Sequence, residues 1–138
     1  MFDHCLYFNT TALARIVERE WNAAYRPFDL TAPQGFVLRT VLRRPGLLSS
    51  EVADVFGIAR PTATRLLDAL LSKQLIERRP SADDGREWNI FPTAAGLALD
   101  VPINAVSAEV AQRLRAQVGD DRFDGSIAAL RGIRESIR

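Results

Sequence analysis

The sequence predicts a mainly α-helical chain with one small β-hairpin, and three observations predict it. Apolar residues recur at helical spacing through most of the 138 residues. Proline, glycine and capping residues divide that pattern into helix-length pieces. One stretch departs from it: in "LIERRPSADDGREWNIFPTAAG", residues 75–96, the β-capable runs "LIERR" and "EWNIF" flank a turn of Ser, Asp, Asp and Gly. The predicted order is four helices, the hairpin, then two more helices.

Leu13, Ile16, Val17, Trp21, Ala24 and Phe28 follow helical spacing, so residues from about 5 to 25 read as a long amphipathic helix that Arg26-Pro27 ends. In "LTAPQGFVLRTVLRRPG", Thr31 and Gln34 stand at capping-box spacing, Pro33 fits the first turn, and Pro45-Gly46 stops the helix after Arg44. "LLSSEVADVFGIA" offers Ser49 or Ser50 as N-cap, Glu51 at the positive end of the dipole and Gly57 as the C-terminal glycine. "ARPTATRLLDALLSKQL" opens with Pro61 and places Ala63, Leu66, Leu67, Leu70 and Leu71 on one face, with Thr62, Arg65 and Ala69 opposite. After the hairpin, Thr93 caps the next helix, which Pro102 should kink or break. A last helix, from about Asp121, carries the stripe Phe123, Ile127, Leu130, Ile133, Ile137.

Composition narrows the function. The length suits one domain with a real core. No apolar run approaches the roughly 20 residues of a membrane span, and the N-terminus, "MFDHCLYFNT", lacks the basic region of a signal peptide. With a single cysteine, Cys5, no internal disulfide forms, so the expected compartment is the cytoplasm. One histidine beside one cysteine falls short of a metal site, and no cofactor motif is present. No nucleophile motif, phosphate loop or carboxylate pair supports an enzyme. The net charge is only +1, but residues 26–79 hold nine basic and five acidic residues, a local +4. All of those cations but Lys73 are arginines, whose planar fork suits phosphate and guanine.

Two helices joined through Gly57-Ile58, the second polar on its outer face, make a helix-turn-helix pattern. Its second helix fits a DNA major groove about 12 Å wide, N-terminus first. That places Arg60, Pro61, Thr62, Thr64 and Arg65 near base edges and phosphates, while Arg78 and Arg79 supply backbone contacts. A plain helical hairpin with a solvated face gives the same pattern. The β-hairpin directly after it favours the winged form, with Arg86 reaching a neighbouring minor groove, Asp84 aiming its guanidinium and Gly85 easing the turn. Asp83 and Glu87 suit a DNA-facing tip poorly, so some of these acids should turn back to the protein.

At this point the chain resembles the MarR family of winged helix-turn-helix regulators over nearly its whole length. "LTAPQGFVLRTV", "LLSSEVADVFGIARPTATRLLDALLSKQLIERR", "DDGRE" and "PTAAG" fall in the family's order and spacing. Asp84-x-Arg86 and Thr93-x-x-Gly96 are the more specific marks. Trp88 and Asn89, where small or aliphatic residues are usual, and Phe91-Pro92 depart from the pattern and make the base of the wing bulkier. The resemblance implies one MarR-type domain, with a DNA-binding region at 30–96 and a dimerisation region at 1–28 and 97–138. It also implies a homodimer on pseudo-palindromic operator DNA, acting as a repressor released by a small lipophilic or phenolic effector, or by thiol oxidation. Family position puts an effector between the first, second and fifth helices, near Trp21, Tyr25 and Phe36. For Cys5, His4 and the helix start could lower the thiol pKa while Tyr7 shares no helix face with it, and the preferred expectation is a buried dimer-interface residue rather than a redox switch, because buried cysteine is common. A winged-helix module that binds protein instead of DNA is the remaining alternative.

Overall fold

A computed structural model of the chain describes every residue except Asp84 and Arg138. Helix α1 (Leu6–Tyr25) runs into a short 3-10 turn at Arg26–Phe28, where Pro27 cannot continue an α-helix. Helix α2 (Ala32–Arg43) starts at the expected capping box: the Gln34 N–H donates to Thr31 Oγ1 at 3.3 Å and the Thr31 N–H to Gln34 Oε1 at 3.2 Å. Gly46, at φ 89°, turns the chain out of α2, and its N–H donates to the Ile90 carbonyl at 2.7 Å.

That turn creates an element periodicity did not reveal. Leu47–Leu48 form strand β1, which pairs antiparallel with β3 (Trp88–Pro92), itself paired with β2 (Ile76–Pro80). The sheet therefore has three strands in the order β1-β3-β2, not the two of a bare hairpin. Two residues carry no alternation to detect; β1 exists because β3 offers it an open edge. Helix α3 (Ser49–Phe56) then begins one residue earlier than its serines suggested. Leu48 is the N-cap, and its N–H donates to Glu51 Oε2 at 2.7 Å. An aliphatic N-cap has no side-chain acceptor, so neither Ser49 nor Ser50 caps in the expected way.

Helix α4 (Arg60–Ser72) follows Gly57, which holds φ 61° as a C-terminal glycine should. After the sheet, the Thr93 hydroxyl accepts from the Gly96 N–H at 3.1 Å and starts α5 (Ala94–Ala98). Helix α6 (Asp100–Val118) follows after a break at Leu99. The expected effect of Pro102 thus falls three residues upstream. A proline ring clashes with the carbonyl four residues before it, and ending α5 at Ala98 removes that carbonyl from a continuous helix. Helix α7 (Asp120–Ile137) completes the chain. Among the described residues, no helix is long and apolar enough to cross a membrane.

Helix α2 is the central element, packed against α1, α4, α5, α6 and β3. Val37, Leu38 and Val41 on it are fully buried, together with Tyr25, Leu70 and Ile103. Gly35 lets Tyr25 lie on α2: a Cβ there would come within 2.3 Å of the ring. Polar groups join α1, α2 and α6 as well. Arg39 on α2 donates to Tyr25 Oη at 3.1 Å, to Ser107 Oγ at 2.9 Å and to Asn104 Oδ1 at 2.8 Å, and Trp21 Nε1 also donates to Ser107 Oγ at 2.9 Å. By contrast, no residue of α7 is buried. It is anchored at its start, where Arg115 of α6 lies 2.9 Å from Asp124 and stacks over Phe123. The hydrogen bond from Arg115 holds the Asp124 carboxyl below its ordinary pKa, so this tie is present at neutral pH and is lost as pH falls through that lowered value.

Gly96 sets the tightest approach in the fold. A Cβ there would lie 2.1 Å from the Leu75 carbonyl oxygen, the same oxygen that accepts the Thr93 N–H. Backbone cannot swing aside as a flexible side chain can. Gly96→Ala should therefore lower the unfolding free energy by about 1–3 kcal/mol, the usual cost of overpacking. Urea unfolding of the two proteins measures it; equal midpoints would show that α5 shifts freely against β2.

Candidate nucleic-acid interface

The turn between α3 and α4 is closed by backbone alone. The Ile58 N–H donates to the Ala53 carbonyl at 3.1 Å, and Gly57 supplies the left-handed residue this closure needs. Helix α4 then buries Ala63, Leu67 and Leu70 and turns Arg60, Pro61, Thr64 and Arg65 outward. Its N-terminus has no side-chain cap. Pro61 has no N–H, so it contributes a preset φ and no donor; the first-turn N–H groups of Arg60 and Thr62 are the ones a helix start leaves for an anion.

The hydroxyls of α4 are partly committed within the helix. Thr64 Oγ1 donates to the Arg60 carbonyl at 3.0 Å, and Arg65 reaches back toward Thr62 Oγ1 at 3.4 Å. Thr62, expected on the outer face, is half-buried at the edge of an apolar groove. That groove, about 700 Å³, runs between α1, α2 and the helix-turn-helix, with Val17, Trp21, Phe36, Phe56, Ile58 and Leu66 among its walls. The groove only partly matches the position expected between the first, second and fifth helices. Trp21 and Phe36 line the groove, but Tyr25 is fully buried with its hydroxyl on Arg39, and helix α4 replaces the fifth helix as a wall.

The wing follows α4 directly. Arg86 is exposed on the connection between β2 and β3. Its expected aiming partner, Asp84, lies outside the described residues. Glu87 turns back to the protein, as one of the wing acids should: its Oε2 accepts from Ser49 Oγ at 3.0 Å and from the Ser50 N–H at 3.3 Å. A carboxylate at the positive start of α3 is electrostatically well placed. Asp83 instead stays exposed, with its own N–H directed at Ser81 Oγ. Asn89 ties the wing down a second time, donating to the Gly46 carbonyl at 2.8 Å.

Several of these roles escape a linear reading. Glu87 looked like a misplaced tip acid, because its partner lies 38 positions away. The bulky wing residues also acquire partners: the Arg78 guanidinium sits 4.5 Å from the centroid of Trp88, and that of Arg79 sits 4.1 Å from Phe91. Aromatic and basic residues in adjacent strands were the available signal, but only the register shows which pairs meet. At the N-terminus, Cys5 is exposed in the single chain and caps α1 with extended backbone.

Residues 28–87 match the family model for the MarR family. Among known proteins, the chain is 30% identical over 105 residues to the HTH-type transcriptional repressor Rv2887 of Mycobacterium tuberculosis, covering 73% of this chain and 76% of that protein. It is 26% identical over 84 residues to the uncharacterized HTH-type transcriptional regulator YybA of Bacillus subtilis, an alignment that spans 61% of this chain and only 56% of YybA. Among solved structures, MepR of S. aureus in its DNA complex superposes with a TM-score of 0.83 at 25% identity, covering 96% of this chain and 98% of MepR. A mutant E. coli MarR complexed with operator DNA gives a TM-score of 0.85 at 24% identity, over 96% of this chain and 97% of that one, a likeness of fold. Sequence match, element order and wing agree: the chain belongs to the MarR family of winged helix-turn-helix transcriptional regulators.

Proposed function

We propose that the protein is a cytoplasmic homodimeric repressor that binds pseudo-palindromic operator DNA through residues 30–96. In this function α4 enters the major groove, with Arg60, Thr62, Thr64 and Arg65 reaching base edges and phosphates and Pro61 presetting the helix start. Arg86 enters the flanking minor groove, aimed by Asp84. Of the two wing-base arginines, Arg78 is the candidate for sequence-independent backbone contact. The observation that carries this function is an uncapped α4 whose exposed face holds Arg60, Thr64 and Arg65, followed at once by an arginine-tipped wing. The mycobacterial relative is named a repressor and MepR was solved on DNA, which supports the same assignment.

Residues 1–28 and 97–138 form the dimerisation region. On α7 the stripe Ile127, Leu130 and Ile133 is 45%, 38% and 37% exposed in the single chain, and Leu13 and Ile16 on α1 are exposed too. An isologous dimer covers such faces and sets two recognition helices about one DNA turn, roughly 34 Å, apart. The apolar groove beside Thr62 and Leu66 is the proposed effector site, because a lipophilic or phenolic guest there would press on α4 itself. In the dimer Cys5 has a structural role at the interface.

Selecting bound duplexes from a random pool tests DNA binding; recovery of no salt-sensitive binder would instead favour a protein-interaction module. On the selected operator, Arg86→Ala should weaken binding by about 1–3 kcal/mol with helicity unchanged, while Arg65 and Thr62 variants should change which operators are preferred. Uniform weakening by every one of these variants would remove α4 from base readout.

Removing residues 121–138 should give monomer or aggregate that binds half-sites weakly and full operators without cooperativity. Sedimentation of the truncated chain decides this, and a soluble dimer with full affinity would exclude α7 as the clasp. A lipophilic effector in the groove should change Trp21 fluorescence, read in a Trp88→Phe background, in parallel with DNA release. Release with no change at Trp21 would place the effector elsewhere.

A further inference from the structure

The two adjacent arginines of β2 occupy different environments. The register pairs Ile76 with Pro92, Arg78 with Ile90 and Pro80 with Trp88. Paired residues share a face of the sheet, so Ile76, Arg78, Ile90 and Trp88 lie together. Ile76 and Ile90 are 2% and 1% exposed, which makes this the face packed on the helices. Glu77, Arg79, Asn89 and Phe91 share the opposite face. There Arg79 donates to Glu77 Oε1 at 2.7 Å while stacking on Phe91, so its charge is met within the protein. Arg78 stacks on Trp88 and, among the described residues, meets no carboxylate.

We infer that Trp88 is a positioning residue that holds Arg78 as the wing's phosphate clamp, and that Glu77 withdraws Arg79 from that role. A guanidinium stacked on an indole uses its flat face and keeps its in-plane N–H edge for an anion. An unstacked arginine on an exposed strand must lose its rotamer freedom when it grips a phosphate; the ring removes that freedom beforehand. Trp88 is itself half-buried and packed on the core cluster, so the platform is rigid. This rests on the DNA-binding function proposed above.

A double-mutant cycle on the operator selected by the wild-type dimer tests it. Arg78→Ala should weaken all operators alike and reduce the log–log salt slope by about 1, whereas Arg79→Ala should leave the slope unchanged. Trp88→Val should weaken binding by about two- to fivefold, the scale of a stack at an exposed site. In the Arg78→Ala background it should do nothing more, and Trp88→Phe should retain affinity. Equal weakening by Trp88→Val in both backgrounds would mean that the ring acts only by packing, and would overturn the inference. An unchanged slope for Arg78→Ala, or a slope lost with Arg79→Ala, would overturn it as well. Thermal melts establish that each variant is folded. Should Trp88→Val fail to fold, Arg78→Lys decides: it keeps the charge and the slope but loses the planar stack, so affinity should still fall about two- to fivefold. Full affinity would overturn the positioning role. Failure of the wild type to bind any duplex is a separate outcome that removes the DNA-binding function and this inference together.

Discussion

The half-buried guanidinium of Arg39 fastens the DNA-binding part of the chain to the helices around it. It hydrogen-bonds Tyr25 on α1 and both Ser107 and Asn104 on α6, and it stacks 4.9 Å above Phe36 on its own helix. Among the described residues no carboxylate touches it directly; Asp100 reaches it through Asn104, which donates to Asp100 Oδ1 at 2.9 Å. A charge held by hydroxyls and an amide avoids desolvating a full ion pair while satisfying its donors. Hydrogen bonds are directional, so this arrangement fixes how α1 and α6 cross α2 more tightly than apolar packing alone. The helix-turn-helix and the wing are built on α2, and their orientation therefore follows from this junction.

The wing is attached to that frame by polar ties as well as by strand pairing. Glu87 reaches the start of α3, and Asn89 reaches the turn at Gly46. Both ties begin at the start of β3, the central strand of the sheet, and end between Gly46 and the first turn of α3. The hairpin thus acts as a brace on the helix-turn-helix, and a shift in α3 is transmitted to the base of the wing. The groove beside Trp21 and Phe36 is walled by Phe56 of α3 and by Thr62 and Leu66 of α4. The wing ties and the groove thus both reach α3, the first at its N-terminus and the second at Phe56, its last residue, a geometry suited to the proposed effector control.

Much of the architecture is legible in the sequence because its signals are local. The capping box of Thr31 and Gln34, the cap at Thr93, the left-handed glycine at Gly57 and the proline after α1 each act within a few residues, and all are present in the fold. Strand β1 has no such signal, since two leucines say nothing until β3 is beside them. Pro102 was recognisable as a disruption, but the helix breaks at Leu99, because the clash falls on the preceding turn.

The proposed DNA-contacting surface divides in the same way. Exposed Arg60, Thr64 and Arg65 follow from helical periodicity, which fixes the face once Ala63, Leu67 and Leu70 are assigned to the core. Identifying the hairpin as a wing needed only its position after α4. The inward turn of Glu87, the different partners of Arg78 and Arg79, and the junction at Arg39 depend on residues far apart in the chain. Sequence by itself determined the elements, their order and the polar face of α4, because backbone preference and periodicity act over a few residues. Tertiary structure alone decided which charges face outward and which are held within the protein, because a charge takes its partner from whatever the fold brings within a few ångströms.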